Sequence, residues 1–276
     1  MIDSRSVTTI QPARRLLDLD LQGTWEFREL LGFLIWRDVK VRYRQTAIGV
    51  FWFALQPLLA TLIFTIVFGR LARLPSEGVP YAMFAYAGLV PWHFFAQAVT
   101  RGVNSMTQER QLIAKIYFPR LLLPLGVLIA GMVDFGVGFV VLAGMLAWYG
   151  VPPSMAILLT PVFLLLALAT ALAVVTWLAP LNVRYRDVSY TMPFLLQIWL
   201  FTSPVAYSVE LIPDRWRWLY GLNPMAGVIE GFRWAWLGTA APSVALLGTS
   251  AAGVLVLLAM GVIFFHRMER TFADTI

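Results

Sequence analysis

The sequence predicts an all-α integral membrane protein. Three observations lead there. Mean hydropathy is +0.74, with 59% hydrophobic and 13% charged residues in 276. Several stretches are apolar all round, which suits lipid or a crowded bundle, whereas a soluble helix needs a single apolar stripe. Finally, the basic residues lie unevenly about those stretches.

Crossing a bilayer takes roughly 20 mainly apolar residues. Six runs qualify as expected spans: 47–69, 79–100, 121–148, 154–181, 188–208 and 243–265. An even number puts both termini on one side. With that side cytoplasmic, the inside segments hold 16 Lys and Arg and the outside segments 5. That asymmetry is the positive-inside rule, and it sets the expected orientation. The net charge of +6 therefore needs no nucleic acid to explain it.

Residues 1–23 have no apolar core of the signal-peptide type and read as a cytoplasmic segment. Residues 24–44, "TWEFRELLGFLIWRDVKVRYR", read as an amphipathic helix, because Phe27, Leu31, Ile35, Val39 and Tyr43 recur every four residues. Thr24 is the expected N-cap, and Glu26 and Glu29 suit the positive end of the helix dipole. Arg37, Lys40, Arg42 and Arg44 then anchor the cytoplasmic end of the first span against anionic headgroups. Residues 45–276 form the single six-span domain.

In the second run, Pro91 removes a helix hydrogen bond and predicts a kink. Next, Ser105 and Gln108 match a capping box and Pro119 closes the segment, which predicts a short cytoplasmic helix over 106–118. Gln108, Glu109, Arg110, Lys115 and Arg120 make this region polar, while Ile113, Ile116, Tyr117 and Phe118 make it adhesive. A mere connector could be a few residues long. The pattern points to a docking element.

Asp134 is the only acid inside an expected span, and such a residue is a functional candidate by default. No Lys or Arg lies in another expected span, so it is expected to be protonated or to meet a hydroxyl or indole. Alanines 167, 169, 171 and 173 allow close helix approach in the fourth run. After the fifth run, two short external helices are expected over 213–221 and 225–237, parted by the Asn223-Pro224 turn. They carry Trp216, Trp218, Trp234 and Trp236, readable as an interfacial aromatic belt or as a sugar-facing platform at an exit.

Several chemistries are excluded. There is no cysteine, and the two histidines, His93 and His266, stand far apart, so no metal centre is expected. Neither a phosphate-binding P-loop motif nor a Ser/His/Asp set occurs, and no acid pair suits glycosyl transfer. The energy source is expected on another polypeptide. Six helices leave little room for a wide pore, so a symmetric dimer sharing one path is the economical design.

The strings "RDVKVRYRQTAIGVFWFALQPLL", "VFGRLA", "GLVPWHFF", "RGVNSMTQERQLIAKIYFPR", "LNVRYRD", "TSPVAYS" and "LNPM" occur in that order from about residue 25 onward. Together they resemble the type-2 ABC transporter permeases that export polysaccharides and polyol phosphates: O-antigen, capsule or teichoic acid. The resemblance implies a homodimer in the bacterial cytoplasmic membrane with two copies of a separate ATPase. ATP and Mg would sit on that partner and no cofactor on this chain. It further implies that 25–44 is an interface helix, 106–118 the coupling helix in the ATPase cleft, and 209–237 the cover of the external mouth. The diphosphate of a lipid-linked glycan would meet Arg37, Lys40, Arg42 and Arg44 beside Tyr43. Phe51, Trp52, Trp92, Phe95 and Trp199 are the candidate lining of the path. One departure is Leu121, where relatives often carry Glu after Phe-Pro-Arg. Two rival readings share these features: a permease of the same fold for drugs or lipids, and a membrane-embedded transferase acting on lipid-linked sugars.

Overall fold

The computed structural model describes residues 26–44 and 51–269, and these are helical with no strand among them. In chain order the helices are α1 (Arg28–Arg44), α2 (Phe51–Phe64), α3 (Tyr81–Gln108), α4 (Arg110–Lys115), α5 (Leu122–Tyr149) and α6 (Thr160–Arg184). Then follow α7 (Asp187–Thr202), α8 (Asp214–Tyr220), α9 (Pro224–Leu237) and α10 (Val244–Glu269). Thr24 and residues 1–23 lie outside the described set, as does the side chain of Phe51.

Four stretches are long and apolar enough to cross a membrane: Trp52–Leu71, Leu122–Tyr149, Met155–Arg184 and Val244–Glu269. They fall on the first, third, fourth and sixth expected runs. The fifth run forms α7, which at 16 residues is short. The second forms α3, long at 28 residues but carrying Tyr81, Tyr86, His93, Gln97 and Arg101. At its outer end α2 continues as a π-helix, Thr65–Leu71, where the Ala72 N–H donates to the Val67 carbonyl five residues back.

Helix α3 is the axis of the bundle. It packs against α2, α5, α6, α7 and α9. Pro91 lies inside it without ending it; the ring is buried and the helix runs on to Gln108. The expected capping box is absent as well. Ser105 sits within α3 and its hydroxyl donates to the Gly102 carbonyl, so the break falls at Glu109 and α4 spans six residues.

Both expected short helices after the fifth run are present. Asn223 caps α9, its side-chain oxygen accepting from the Met225 N–H at 3.1 Å, with Pro224 at the first helical position. Yet α9 is a core element: every residue except Trp234 is buried. Gly227 and Gly231 make this possible. A Cβ on Gly231 would lie 2.0 Å from the Phe163 ring of α6, and one on Gly227 would lie 2.7 Å from Ser250 Oγ of α10. Small residues four apart let helix backbones approach this closely. The same device joins α6 to α10, where Ala167, Ala171 and Ala173 are buried and Gly261 faces Thr176 and Trp177.

Candidate functional site

One end of the bundle is organised by α1. Its inner face, with Phe27, Leu30, Leu31 and Leu34, packs on Phe118, Leu122 and Leu123 at the start of α5. Two of its arginines turn into the protein. Arg37 reaches Glu109 at the α3–α4 break, with Nη2–Oε1 2.5 Å and Nη1–Oε2 3.3 Å, and also touches Asp38. Partial burial disfavours the charge on Arg37, but the hydrogen bond to Glu109 and its carboxylate outweigh that and raise the arginine's pKa.

Arg42, one and a half turns further on, pairs with Asp134 of α5. Tyr43 donates its hydroxyl to the other Asp134 oxygen, and Arg101 of α3 donates to Oδ2 at 3.0 Å. Arg101 also donates to Gln97 Oε1 at 2.5 Å. Burial, the hydrogen bond and the carboxylate charge push the Tyr43 phenol up, so it stays protonated and remains a donor. The expectation that no cation reaches Asp134 is thereby corrected. One partner comes from the amphipathic helix and one from a helix that extends two turns past the expected span. This carboxylate is bound by two guanidinium groups.

The 109–120 segment is held at both ends. Glu109 is tied to α1, and the Arg120 guanidinium donates to the Glu269 carbonyl at 2.6 Å at the end of α10. Phe118 was expected to be exposed, but it is buried as the plug of the α1–α5 contact. Gln108, Lys115, Ile116 and Tyr117 are exposed, Tyr117 at 73%, and Arg110 and Ile113 are half-buried. Lys40 and Arg44 stand exposed on α1, so the basic group divides into two inward arginines and two outward cations.

The candidate lining aromatics do not converge. Trp92 and Phe95 are buried in the α3 core, with the Phe95 ring edge-on to Trp199 at 5.0 Å. Trp52 is exposed on α2. Trp199 donates to Asn223 Oδ1 at 2.9 Å and borders a groove of about 720 Å3 with Tyr207, Tyr220, Leu222 and Val254. The four outer tryptophans also part company. Trp216 and Trp218 on α8 are exposed, whereas Trp236 is buried with its indole N–H on Thr160 Oγ1, and Trp234 packs partly buried beside Phe163.

A second charged group was missed by the sequence reading. Arg233 of α9 is fully buried. It donates to the carbonyls of Phe84, Val205 and Tyr207, pairs with Glu230 at 3.1 Å, and lies 3.5 Å over the Phe84 ring. Gly88 of α3 makes room, since a Cβ there would stand 2.8 Å from the guanidinium. Close by, Ser208 donates to Glu77, which sits in a left-handed turn with Gly78. The signal was legible: Glu230 and Arg233 are opposite charges three apart in an otherwise apolar helix, and only pairing makes that tolerable.

Among the described residues no cluster of three potential metal ligands occurs. What these sites can do is hold helices together, leave an exposed polar and aromatic surface at α4, and border a groove. The family model for ABC-2 type transporters matches residues 29–237, which run from α1 through α9. This chain belongs to the ABC-2 type transporter family. Among its relatives, the O-antigen export system permease protein RfbA of Myxococcus xanthus is 31% identical over 255 residues, 91% of this chain and 97% of that one. A protein of the same name from Klebsiella pneumoniae is 25% identical over 89% of this chain and 94% of its own length. The inner membrane transport permease YadH of Escherichia coli K12 is 26% identical over 78% of this chain and 86% of that one. An ABC-2 chain is a membrane component of a transporter, and the apolar helices here suit that place.

Proposed function

We propose that this ABC-2 chain is the membrane subunit of an ATP-driven exporter of lipid-linked polysaccharide, with O-antigen the favoured cargo. The observation that carries this reading is the 31% identity to an O-antigen export permease across nearly the whole of both chains. In this reading the six runs all cross the inner membrane, with α3 and α7 as the second and fifth spans and both termini cytoplasmic. Two copies pair, and two copies of a separate ATPase bind below with their own ATP and Mg.

The division of the basic residues into inward and outward pairs supports a division of tasks. Lys40 and Arg44 are free to meet the phosphates of the cargo's lipid head, while Arg37 and Arg42 position α1. The exposed face of Lys115, Ile116 and Tyr117, with the half-buried Arg110 beside it, is the docking surface for the ATPase. Closure of the ATPase dimer presses on α4, and the ionic contacts of Glu109 and Asp134 pass that displacement to α1, α3 and α5. A shift between two states follows the ligand's differential affinity for them, here ATP on the partner. Outside, Trp216 and Trp218 on α8 stand at the mouth.

The test is a deletion strain. Loss of the chain should leave lipid-linked glycan at the cytoplasmic leaflet, and the intact chain with its ATPase should return it to the surface. Glycan at the surface without the chain would remove the assignment. Export of a small amphiphile, with no change in glycan, would favour the drug or lipid reading.

A further inference from the structure

His93, Gln97 and Arg101 recur every four residues on α3 and so share one face. That face looks into the seam between α2 and α5, where it borders a small, partly open cavity of about 30 Å3. Its polar wall is His93, Gln97 and Arg101 with Gln56 of α2 and Asp134 of α5; Phe53, Phe94, Val127 and Phe135 are among the apolar side chains that complete it. His93 Nε2 is buried there with no hydrogen-bond partner among the described residues. Buried polar groups are nearly always satisfied by protein or by ordered water.

We propose that this cavity is a built water site, where one or two ordered waters join His93 to the Arg101–Asp134 pair. The volume suits that occupant. A water requires at least about 10–15 Å3 of such space and two to four polar partners, while cavities that stay dry are apolar. Ions fit poorly. A metal cation would face Arg42 and Arg101, which already share Asp134. An anion would face Asp134, with Arg101 already committed to it and to Gln97. A neutral molecule that both donates and accepts matches the wall, and nothing much larger than water fits. The cytoplasmic ionic junction is thereby extended by two turns of α3 into the interior, along the contact of the first span with the rest of the bundle.

The experiment uses the full chain with its ATPase in lipid nanodiscs. A structure that resolves waters should show density within hydrogen-bonding distance of His93 Nε2 and of Arg101, Gln97 or Asp134. An empty cavity, or a His93 ring turned onto a protein partner, would overturn the proposal. Radiolytic footprinting in 18O water supplies an independent readout. His93 and Phe94 should label faster than buried residues remote from the cavity, such as Phe84, and His93→Phe should slow labelling of Phe94 several-fold by displacing the water. Equal labelling of Phe94 in the parent and the variant would sink the site.

Discussion

Two charged groups lie about 13 residues apart on α3, roughly 20 Å at 1.5 Å per residue, and they are built differently. The inner one balances Asp134 against Arg42 and Arg101 with help from Tyr43. Its contacts join side chains from three helices, apart from Arg42 Nη1 donating at 3.5 Å to the Ala130 carbonyl, and the arginines remain partly exposed. The outer one centres on Arg233, wholly buried, and most of its partners are backbone carbonyls. Side-chain pairs can be broken and remade as helices shift, since each partner can find water. A guanidinium fixed to three carbonyls in the interior has no such alternative. The inner group therefore suits a joint, and the outer one suits a clamp.

The strongest challenge to this contrast is Arg233→Gln. It leaves Glu230 buried without its cation and three carbonyls without a donor, and breaking a buried pair in this way costs about 3–5 kcal/mol. Thermal unfolding of the purified chain should fall sharply, and Arg233→Lys should restore little, because an ammonium lacks the planar fork. Full stability in the lysine variant would show that position 233 needs only charge.

Next comes Asp134→Asn, which leaves two guanidinium groups facing one another. Loss of hydrogen bonds to a charged group costs about 1.5–3 kcal/mol. The exchange Asp134→Arg with Arg42→Asp should recover part of the loss in melting temperature and in export. No recovery would mean that the junction is held by packing rather than by charge. A smaller effect, about 1 kcal/mol, is expected for Glu77→Gln, which keeps an acceptor for Ser208 but removes a carboxylate near Arg233. Melting curves measured beside Glu230→Gln would rank the two acids of the clamp. The smallest change in stability, within about 0.5 kcal/mol, belongs to the exposed double variant Lys115→Ala and Tyr117→Ala. ATPase activity should then continue without export, and undiminished export would dismiss the docking surface.

Four long apolar spans, the short helices after the fifth run and the Asn223-Pro224 turn were legible because length, periodicity and capping chemistry are local properties. The partners of Asp134 were not. Arg101 stood just beyond the expected end of a span, and Arg42 sat on a helix whose basic residues were all assigned to headgroups. Which of them turned inward depends on how α1 rotates against Leu122 and Leu123. Facing was illegible for Trp92, Phe95 and Trp236 for a related reason. An evenly apolar helix carries no stripe to orient it, so only the neighbouring helices decide which ring is covered. Phe118 misled in the opposite sense: its polar surroundings implied exposure, but it packs with Leu34 of α1 and Leu122 and Leu123 of α5.

The Arg120 contact with Glu269 bears on how effort spreads through the chain. Because the 109–120 stretch is moored at one margin to an early helix and at the other to the last, it cannot swing like a free flap. Any thrust on it must load both extremities of the fold together, so the opening and closing helices of the chain are geared to the same stroke.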